Sequence, residues 1–160
     1  MRAPNTAIES HMMRRPDSVM AAQYSMPYIV GATLAYGPRR YDAYGLDHHE
    51  DQKILSIVDQ VQAQPDAELN SLVPAKMATS VELNLRGGSS RQAKVLDSLG
   101  TPVRPMSTIE VEGKAQALLA PIEVDAKGIS DAVEELGKAN SIADFADALV
   151  VPGYDRAQAA

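Results

Sequence analysis

Cysteine and tryptophan are both absent from the 160 residues of this sequence, and phenylalanine occurs once. The lack of cysteine excludes disulfides, a thiolate nucleophile and cysteine-ligated zinc. Because aromatic residues make up only 4% of the chain, its core has to be built mainly from aliphatic side chains, and it offers little surface for stacking nucleic-acid bases. Fold stability must therefore come from the burial of Ala, Val, Leu, Ile and Met.

Positive charge is also scarce, since 15 Lys and Arg stand against 21 Asp and Glu and leave a net charge of −6. Such a surface repels phosphate backbones on average, so we expect no nucleic-acid partner. No apolar run approaches the ~20 residues of a membrane span, and no stretch of signal-peptide character follows the N-terminus. We therefore expect a cytoplasmic protein with no membrane partner. Hydrophobic residues at 45% and charged residues at 22% are typical of a globular domain.

Two helices are predicted in the first half of the chain. Ser25 is a suitable N-cap, Pro27 is tolerated in a first helical turn, and apolar residues then recur at helical spacing, so a buried helix is predicted over Met26–Tyr36. Gly37-Pro38 ends it. The acidic pair Glu50-Asp51 favours the start of a second helix, because negative charge is stabilised at a helix N-terminus.

A β-hairpin and three more helices are predicted after these. Lys76–Leu85 alternates in polarity with Met77, Thr79, Val81, Leu83 and Leu85 on one side, and Gly87-Gly88 makes a tight turn before a second strand. Ser107 and Glu110 form a capping-box pattern that opens a helix to about Leu119. Two further helical stripes follow, formed by Ile129, Ala132, Val133 and Leu136 and then by Ile142, Phe145, Ala146 and Leu149.

This order of elements predicts an α+β fold, a small antiparallel sheet (hairpin) packed with several helices. We expect an N-terminal edge segment and loop over residues 1–18, an α+β domain over 19–121, C-terminal helices over 122–152 and a frayed tail over 153–160. The sheet is small for the number of helices. The C-terminal helices are therefore expected to cover their apolar stripes at an interface, in a homo-oligomer or against a partner.

Local motifs do not identify a reaction. The sequence has no glycine-rich phosphate loop after a strand, no Gly-x-Ser-x-Gly and no His-Glu-x-x-His. The densest polar cluster is His48-His49-Glu50-Asp51, but adjacent histidines point in different directions, which favours a surface loop or helix start over a metal site. His11 is interpreted as a solvated loop side chain. Tyr24 and Tyr28 are four residues apart and are either core tyrosines or substrate-binding residues.

Paired arginines occur twice, at Arg14-Arg15 and at Arg39-Arg40. Guanidinium groups bind carboxylates with two parallel hydrogen bonds, which makes such pairs candidates for binding an acidic substrate. The alternative is that they are solvated charges in loops.

Several short motifs, taken in order, resemble the C-terminal domain of the MmgE/PrpD family over about Val19 to Ala120. They are the stretch Ala22–Ala32 with Leu34 and Gly37, then Pro74-Ala75, Val81, Leu83 and Gly87-Gly88, and finally Gly100, Pro102, Pro105-Met106-Ser107, Glu112 and Lys114. The sequence departs from the family at Lys114-Ala115, where members usually have Lys-Phe, which suggests a local change of packing.

The resemblance implies a fold and a class of chemistry. Members of this family combine a large helical domain with a smaller α+β domain, and their active site lies in the cleft between the two. The family's reactions move a proton next to a carboxylate-bearing carbon, with loss of water or carbon dioxide or with reprotonation, and use no metal or organic cofactor. The family's acid and base groups come mostly from the helical domain, so no catalytic residue is assigned here.

The resemblance therefore predicts a lid or cleft domain, or a subunit, of a dehydratase-type lyase, similar to 2-methylcitrate dehydratase, that acts on a small di- or tricarboxylate. The expected substrate-binding residues are Ser25, which caps a helix, Tyr28, which donates a hydrogen bond, Arg104, which binds a carboxylate, and Lys114. For Lys114 the alternative is a solvated helix charge. The expected partner is a helical-domain subunit or a second copy of the chain; we expect a split-enzyme subunit, an isolated domain or a degenerate gene product. The alternative function is a non-catalytic interaction or regulatory module that keeps the fold.

Overall fold

The computed structural model describes residues 1–139 and 141–150 of the chain. The described residues form an α+β fold, as the sequence predicts. Its helices are α1 Asn5–Ser10, α2 Val19–Tyr24, α3 Met26–Tyr36, α4 Gln52–Val58, α5 Ala67–Ser71, α6 Thr108–Leu119, α7 Ala126–Glu135 and α8 Ala143–Ala148. Its strands are β1 Arg2–Ala3, β2 Gln64–Pro65, β3 Thr79–Asn84 and β4 Ser90–Val95.

The chain forms two compact units, Met1–Pro105 and Met106–Ala160. The predicted division into residues 1–18, 19–121 and 122–152 rests on sequence pattern and not on this grouping. The grouping assigns the loop that ends at Pro105 to the same unit as the sheet. The predicted frayed tail, 153–160, lies outside the described residues. Within the described part of the chain, none of the helices is both long and apolar enough to cross a membrane.

The sheet has four strands in the order β2-β1-β3-β4. β1 pairs with β2 in parallel and with β3 antiparallel, so the sheet is mixed rather than antiparallel throughout. The N-terminal strand consequently lies inside the sheet instead of at the predicted edge, and α1 follows it where a loop was expected. Strands of two residues are too short to show an alternating pattern, which explains why the sequence revealed only the hairpin.

The hairpin joins β3 to β4 in the predicted place, with Thr79 opposite Val95 and Asn84 opposite Ser90. Gly88 has a φ of 80° in its turn, a conformation that glycine adopts without strain. The predicted apolar side of β3 is only partly covered, because Val81 and Leu83 are half-buried while Met77 and Leu85 are exposed. Ala78 and Ser80, on the opposite side, are the buried residues of this segment.

Helices α3 and α4 enclose the core of the first unit. The predicted bounds of α3 are confirmed, with Ser25 as its N-cap and Gly37 at its end. Asp51 caps α4 as the acidic pair suggested, and its carboxylate accepts from the Lys53 amide at 2.8 Å. The buried cluster that these helices form with their neighbours comprises Ala22, Tyr28, Ala32, Ala43, Ile54 and Val58.

The second unit is made of helices in its described part. The capping box that opens α6 is confirmed, since the Ser107 side chain accepts from the Glu110 amide and the Glu110 carboxylate accepts from the Ser107 amide. Asp125 caps α7 through the Lys127 amide at 3.0 Å. Helices α7 and α8 occupy the two predicted amphipathic stretches.

Candidate functional site

Ser25 lies at the junction of α2 and α3, where it ends one helix and begins the next. Its hydroxyl accepts from the Tyr28 amide at 3.1 Å and donates to the carbonyl oxygen of Met13. The residue has no exposed surface. Its helix-capping role is therefore confirmed, and both hydrogen-bonding functions of its hydroxyl are used inside the protein.

Tyr28 is fully buried and belongs to the core between α3 and α4. Its hydroxyl lies 3.0 Å from the Ala43 carbonyl oxygen and 3.1 Å from that of His48, so its single proton is shared between two backbone acceptors. Burial raises the pKa of the Tyr28 phenol above its ordinary value, which keeps it a neutral donor. In this chain the hydroxyl joins α3 to the segment before α4.

Arg104 and Lys114 are both exposed and belong to different units. Arg104 closes a small turn, in which its carbonyl oxygen accepts from the Gly100 amide at 2.8 Å, and its Nη1 donates to the Asp97 carbonyl oxygen at 3.5 Å. Lys114 projects from α6. The structure thus brings Ser25 and Tyr28 together, and no hydrogen bond or ion pair among the described residues of the first unit joins Arg104 to them.

Tyr24 is 60% exposed, in contrast to Tyr28. Four residues apart, the two tyrosines would share one face of a continuous helix, but α2 ends at Tyr24 and Ser25 has an extended backbone, so they belong to different helices. The Tyr24 ring lies 5.8 Å from the ring of His11, and the Met26 amide donates to the His11 carbonyl oxygen at 2.8 Å. His11 thus lies in a bend beside the helix junction, and its side chain is partly exposed.

A second polar cluster, which we call the clasp, links the end of α3 to the start of α4. It consists of Tyr36, Asp51 and His48. The Tyr36 hydroxyl donates to Asp51 Oδ2, and His48 Nδ1 lies 3.6 Å from the same oxygen. The hydrogen bond from Tyr36 lowers the pKa of Asp51, and the same bond raises the pKa of Tyr36. Sequence reasoning placed Asp51 at the start of a helix but had no signal for its pairing with Tyr36.

The paired arginines bind groups of their own chain. Arg14 donates to the carbonyl oxygens of Val58 and, at 2.6 Å, Val61, which lie at and just beyond the end of α4. Arg15 holds both carboxylate oxygens of Asp59, at 2.8 and 2.9 Å. Arg14 is thus neither a carboxylate-binding nor a solvated side chain. It binds carbonyl acceptors at the open C-terminus of a helix, and a sequence pattern does not show such acceptors.

Arg40 holds Asp42 with bonds of 2.9 and 2.7 Å and lowers the pKa of that carboxyl. Within residues 1–139 and 141–150, no three His, Cys, Asp or Glu side chains are arranged to hold a metal ion. His49 Nε2 lies 3.1 Å from the Tyr44 carbonyl oxygen, and His48 belongs to the clasp through its contact with Asp51. The Arg104 guanidinium and the Tyr24 hydroxyl are two surface groups among the described residues of the first unit that remain able to bind an acidic ligand.

Comparison with known families identifies the class of protein that this fold defines, with its buried Ser25 cap of α3 and its hairpin. The MmgE/PrpD C-terminal domain matches residues 1–138, and the chain therefore belongs to the MmgE/PrpD family as its C-terminal domain. The match reaches further in both directions than the motifs between Val19 and Ala120. No curated protein matches the chain.

Proposed function

We propose that this chain is the lid or cleft domain of a cofactor-independent lyase of the dehydratase type, acting on a small di- or tricarboxylate. The observation that supports the proposal is the match to the MmgE/PrpD C-terminal domain over residues 1–138. Removing a proton next to a carboxylate requires a base, an acid and donors for the substrate's carboxylate groups. We propose that the acid and base come from a helical-domain partner and that this chain supplies donors.

Arg104 is the proposed carboxylate-binding residue, because its guanidinium is exposed and its only side-chain hydrogen bond among the described residues is a long one, 3.5 Å, to a backbone carbonyl. Ser25 and Tyr28, which are buried, are proposed to act indirectly: they fix the α2–α3 junction, and this junction places Tyr24 at the surface. Tyr24 then provides the hydroxyl that Tyr28 was expected to provide. Lys114 stays a second candidate cation, on α6.

The proposal is tested by assaying the chain alone and mixed with a helical-domain protein of the same family, with 2-methylcitrate and cis-aconitate as substrates. We expect turnover only in the mixture. Arg104→Gln should lower kcat/KM by about tenfold or more, because it removes a charged hydrogen bond to substrate. Arg15→Gln, which removes an exposed arginine that already binds Asp59, is the matched control. Full activity of the chain alone would contradict the division of the site between two domains.

A non-catalytic interaction module is the second candidate function. It is favoured by one observation, that the hydroxyls of Ser25 and Tyr28 are both occupied by groups of the chain itself. Copurification distinguishes the two candidates. A helical-domain protein that binds the chain and gains activity supports the lyase, whereas binding without activity on either carboxylate supports the module.

The partner is proposed to cover the apolar side chains of α8 and its flanks. Ile142 and Leu149 are exposed and Phe145 is half-buried, which leaves apolar surface for association. Phe145→Asp should dissociate an oligomer or abolish binding of the helical-domain protein, as measured by size-exclusion chromatography with light scattering, while the first unit stays folded. A monomeric wild-type chain that binds neither this partner nor a hydrophobic dye would contradict the proposed interface.

A further inference from the structure

The outer edge of β4 is an open strand edge. β4 is the last strand of the sheet, and all six of its residues are exposed. The Leu85 amide donates to the Ser89 carbonyl oxygen at 2.8 Å, so this pair is a hydrogen-bonded one. Since hydrogen-bonded pairs alternate along an antiparallel ladder, Arg91, Ala93 and Val95 bond to β3. The backbone groups of Ser90, Gln92 and Lys94 then point away from the sheet.

The hairpin has a net positive charge, whereas the whole chain has a net negative charge. Residues 79–95 contain three cations, Arg86, Arg91 and Lys94, and one anion, Glu82, whereas the whole chain has a net charge of −6. Lys94 is bound to Glu68 at 2.7 Å. Arg86 and Arg91 have neither an ion pair nor a side-chain hydrogen bond among the described residues. The edge therefore carries two free guanidinium groups beside a row of free backbone donors and acceptors.

We propose that this edge binds an extended, acidic segment of a partner polypeptide by strand addition. Main-chain hydrogen bonds to Ser90, Gln92 and Lys94 would provide the pairing, and Arg86 and Arg91 would bind carboxylates of the added strand. A second copy of the chain fits this edge less well. Pairing two β4 strands antiparallel about Gln92 would bring two cationic edges together, each carrying Arg91 and Lys94, and like charges on neighbouring strands repel each other.

The probe is a fluorescently labelled peptide of about ten residues that alternates glutamate and valine, a length that covers a strand of this size. A peptide that alternates lysine and valine is its control. We expect the acidic peptide to bind the full chain, to lose affinity several-fold between about 0.05 and about 0.3 M salt, and to protect the amides of Ser90, Gln92 and Lys94 from hydrogen exchange. The lysine peptide should not bind.

Charge reversal and backbone substitution separate the two parts of the proposal. Arg86→Glu with Arg91→Glu should weaken binding about tenfold or more, and Lys138→Glu, a reversal on the second unit, should leave it unchanged. Gln92→Pro removes one outward amide and should also abolish binding. The variant should still fold, because proline is tolerated on edge strands. Circular dichroism confirms that each variant is folded.

Three results would overturn the proposal. They are failure of the acidic peptide to bind, binding that survives both sets of substitutions, and binding without protection of the β4 amides. Self-association of the chain that Gln92→Pro abolishes would assign the edge to a second copy instead, which also overturns it. If the acidic peptide fails to bind, the charges of β4 serve only to keep an exposed strand edge from pairing.

Discussion

Tyr28, Ile54 and Val58 in the first unit have no exposed surface, whereas Ile109, Ile142 and Val150 in the second are 60–80% exposed. Among the described residues of the second unit, only Val124 and Ala126 are buried. The first unit thus has a core of its own, formed by α3, α4 and the segments around them. The second is a series of helices whose apolar residues lie largely at the surface.

The comparison shows two ways in which the same chain stabilises helices. In the first unit, helices α3 and α4 are held by close packing and by buried hydrogen bonds between elements. In the second unit, α6 and α7 depend more on local devices, namely the Ser107–Glu110 capping box, the Asp125 cap and the Lys127–Asp131 pair. Substitutions of the same type should therefore have different effects in the two units.

The largest difference in stability between the two units is expected when a glycine is replaced by alanine. A methyl group on Gly31 would lie 2.8 Å from Val58 Cγ2 and 2.9 Å from the Ile54 carbonyl oxygen, so Gly31→Ala should force α3 and α4 apart and destabilise the first unit by about 1–3 kcal/mol. Gly113 lies within α6 and has open space around its Cα, so Gly113→Ala should stabilise that helix by up to about 1 kcal/mol.

Urea unfolding measures the first effect, and hydrogen exchange of the α6 amides measures the second. Opposite signs support the comparison between the units. A neutral Gly31→Ala would mean that α3 and α4 separate at little cost, and the close packing of the first unit would then not be what stabilises it.

The next largest effect is expected for the two tyrosines of the α2–α3 junction. Tyr28→Phe removes the hydroxyl donor from the carbonyl oxygens of Ala43 and His48, the second of which keeps the Asp51 amide, and should cost about 1–3 kcal/mol. Tyr24→Phe removes an exposed hydroxyl and should change the free energy of unfolding by less than about 0.5 kcal/mol. If Tyr24 contacts substrate, its variant should instead lower activity in the presence of the helical-domain partner. The reverse result, an unstable Tyr24→Phe and a stable Tyr28→Phe, would exchange their roles.

These two tyrosines show how far the sequence predicts the site. The helix that follows Ser25, its cap and its end were predictable, because capping residues, Pro27 and Gly37 act through local backbone geometry. The burial of Tyr28 was open, since helical spacing places Tyr24 and Tyr28 on one face only if the helix is continuous. The extended backbone of Ser25 interrupts it, and this depends on contacts with the distant Met13.

Other features were not predictable because they join parts of the chain that are far apart in sequence. Arg14 binds carbonyl oxygens 44 and 47 residues later, and β1 pairs with Gln64 and Ser80. A two-residue strand has no periodicity, and an arginine has no pattern that distinguishes a backbone acceptor from a carboxylate. The hairpin and the capping box were predictable, since their partners are near in sequence.

A smaller effect separates the adjacent arginines. Arg14→Ala removes two donors from the carbonyl oxygens at the end of α4 and should destabilise the first unit by about 1–2 kcal/mol. Arg15→Ala breaks an ion pair whose side chains are both more than half exposed, so it should cost no more than about 0.5 kcal/mol. Thermal unfolding of both variants in the same buffer measures the difference. Equal effects would show that Arg14 contributes only its charge.

The smallest effect concerns the acid limb of the stability curve, where the clasp in the first unit is compared with the Lys127–Asp131 pair in the second. The pKa of Asp51 is lowered from its ordinary 3.8, chiefly by the Tyr36 hydroxyl, so the clasp stabilises the fold above pH 3.8 and this contribution is lost as the pH falls through the lower, folded value. Tyr36→Phe removes the hydrogen bond.

The difference in urea midpoint between wild type and Tyr36→Phe should therefore be constant above about pH 5 and should shrink toward pH 2. The raised pKa of Lys127 acts at the other end of the scale, because stability from a raised pKa is present below the ordinary value of 10.5 and is lost only above it. Lys127→Ala should accordingly leave the acid limb unchanged. A Tyr36→Phe difference that stays constant down to pH 2 would mean that Asp51 keeps its lowered pKa without Tyr36, with the Lys53 amide as its remaining donor.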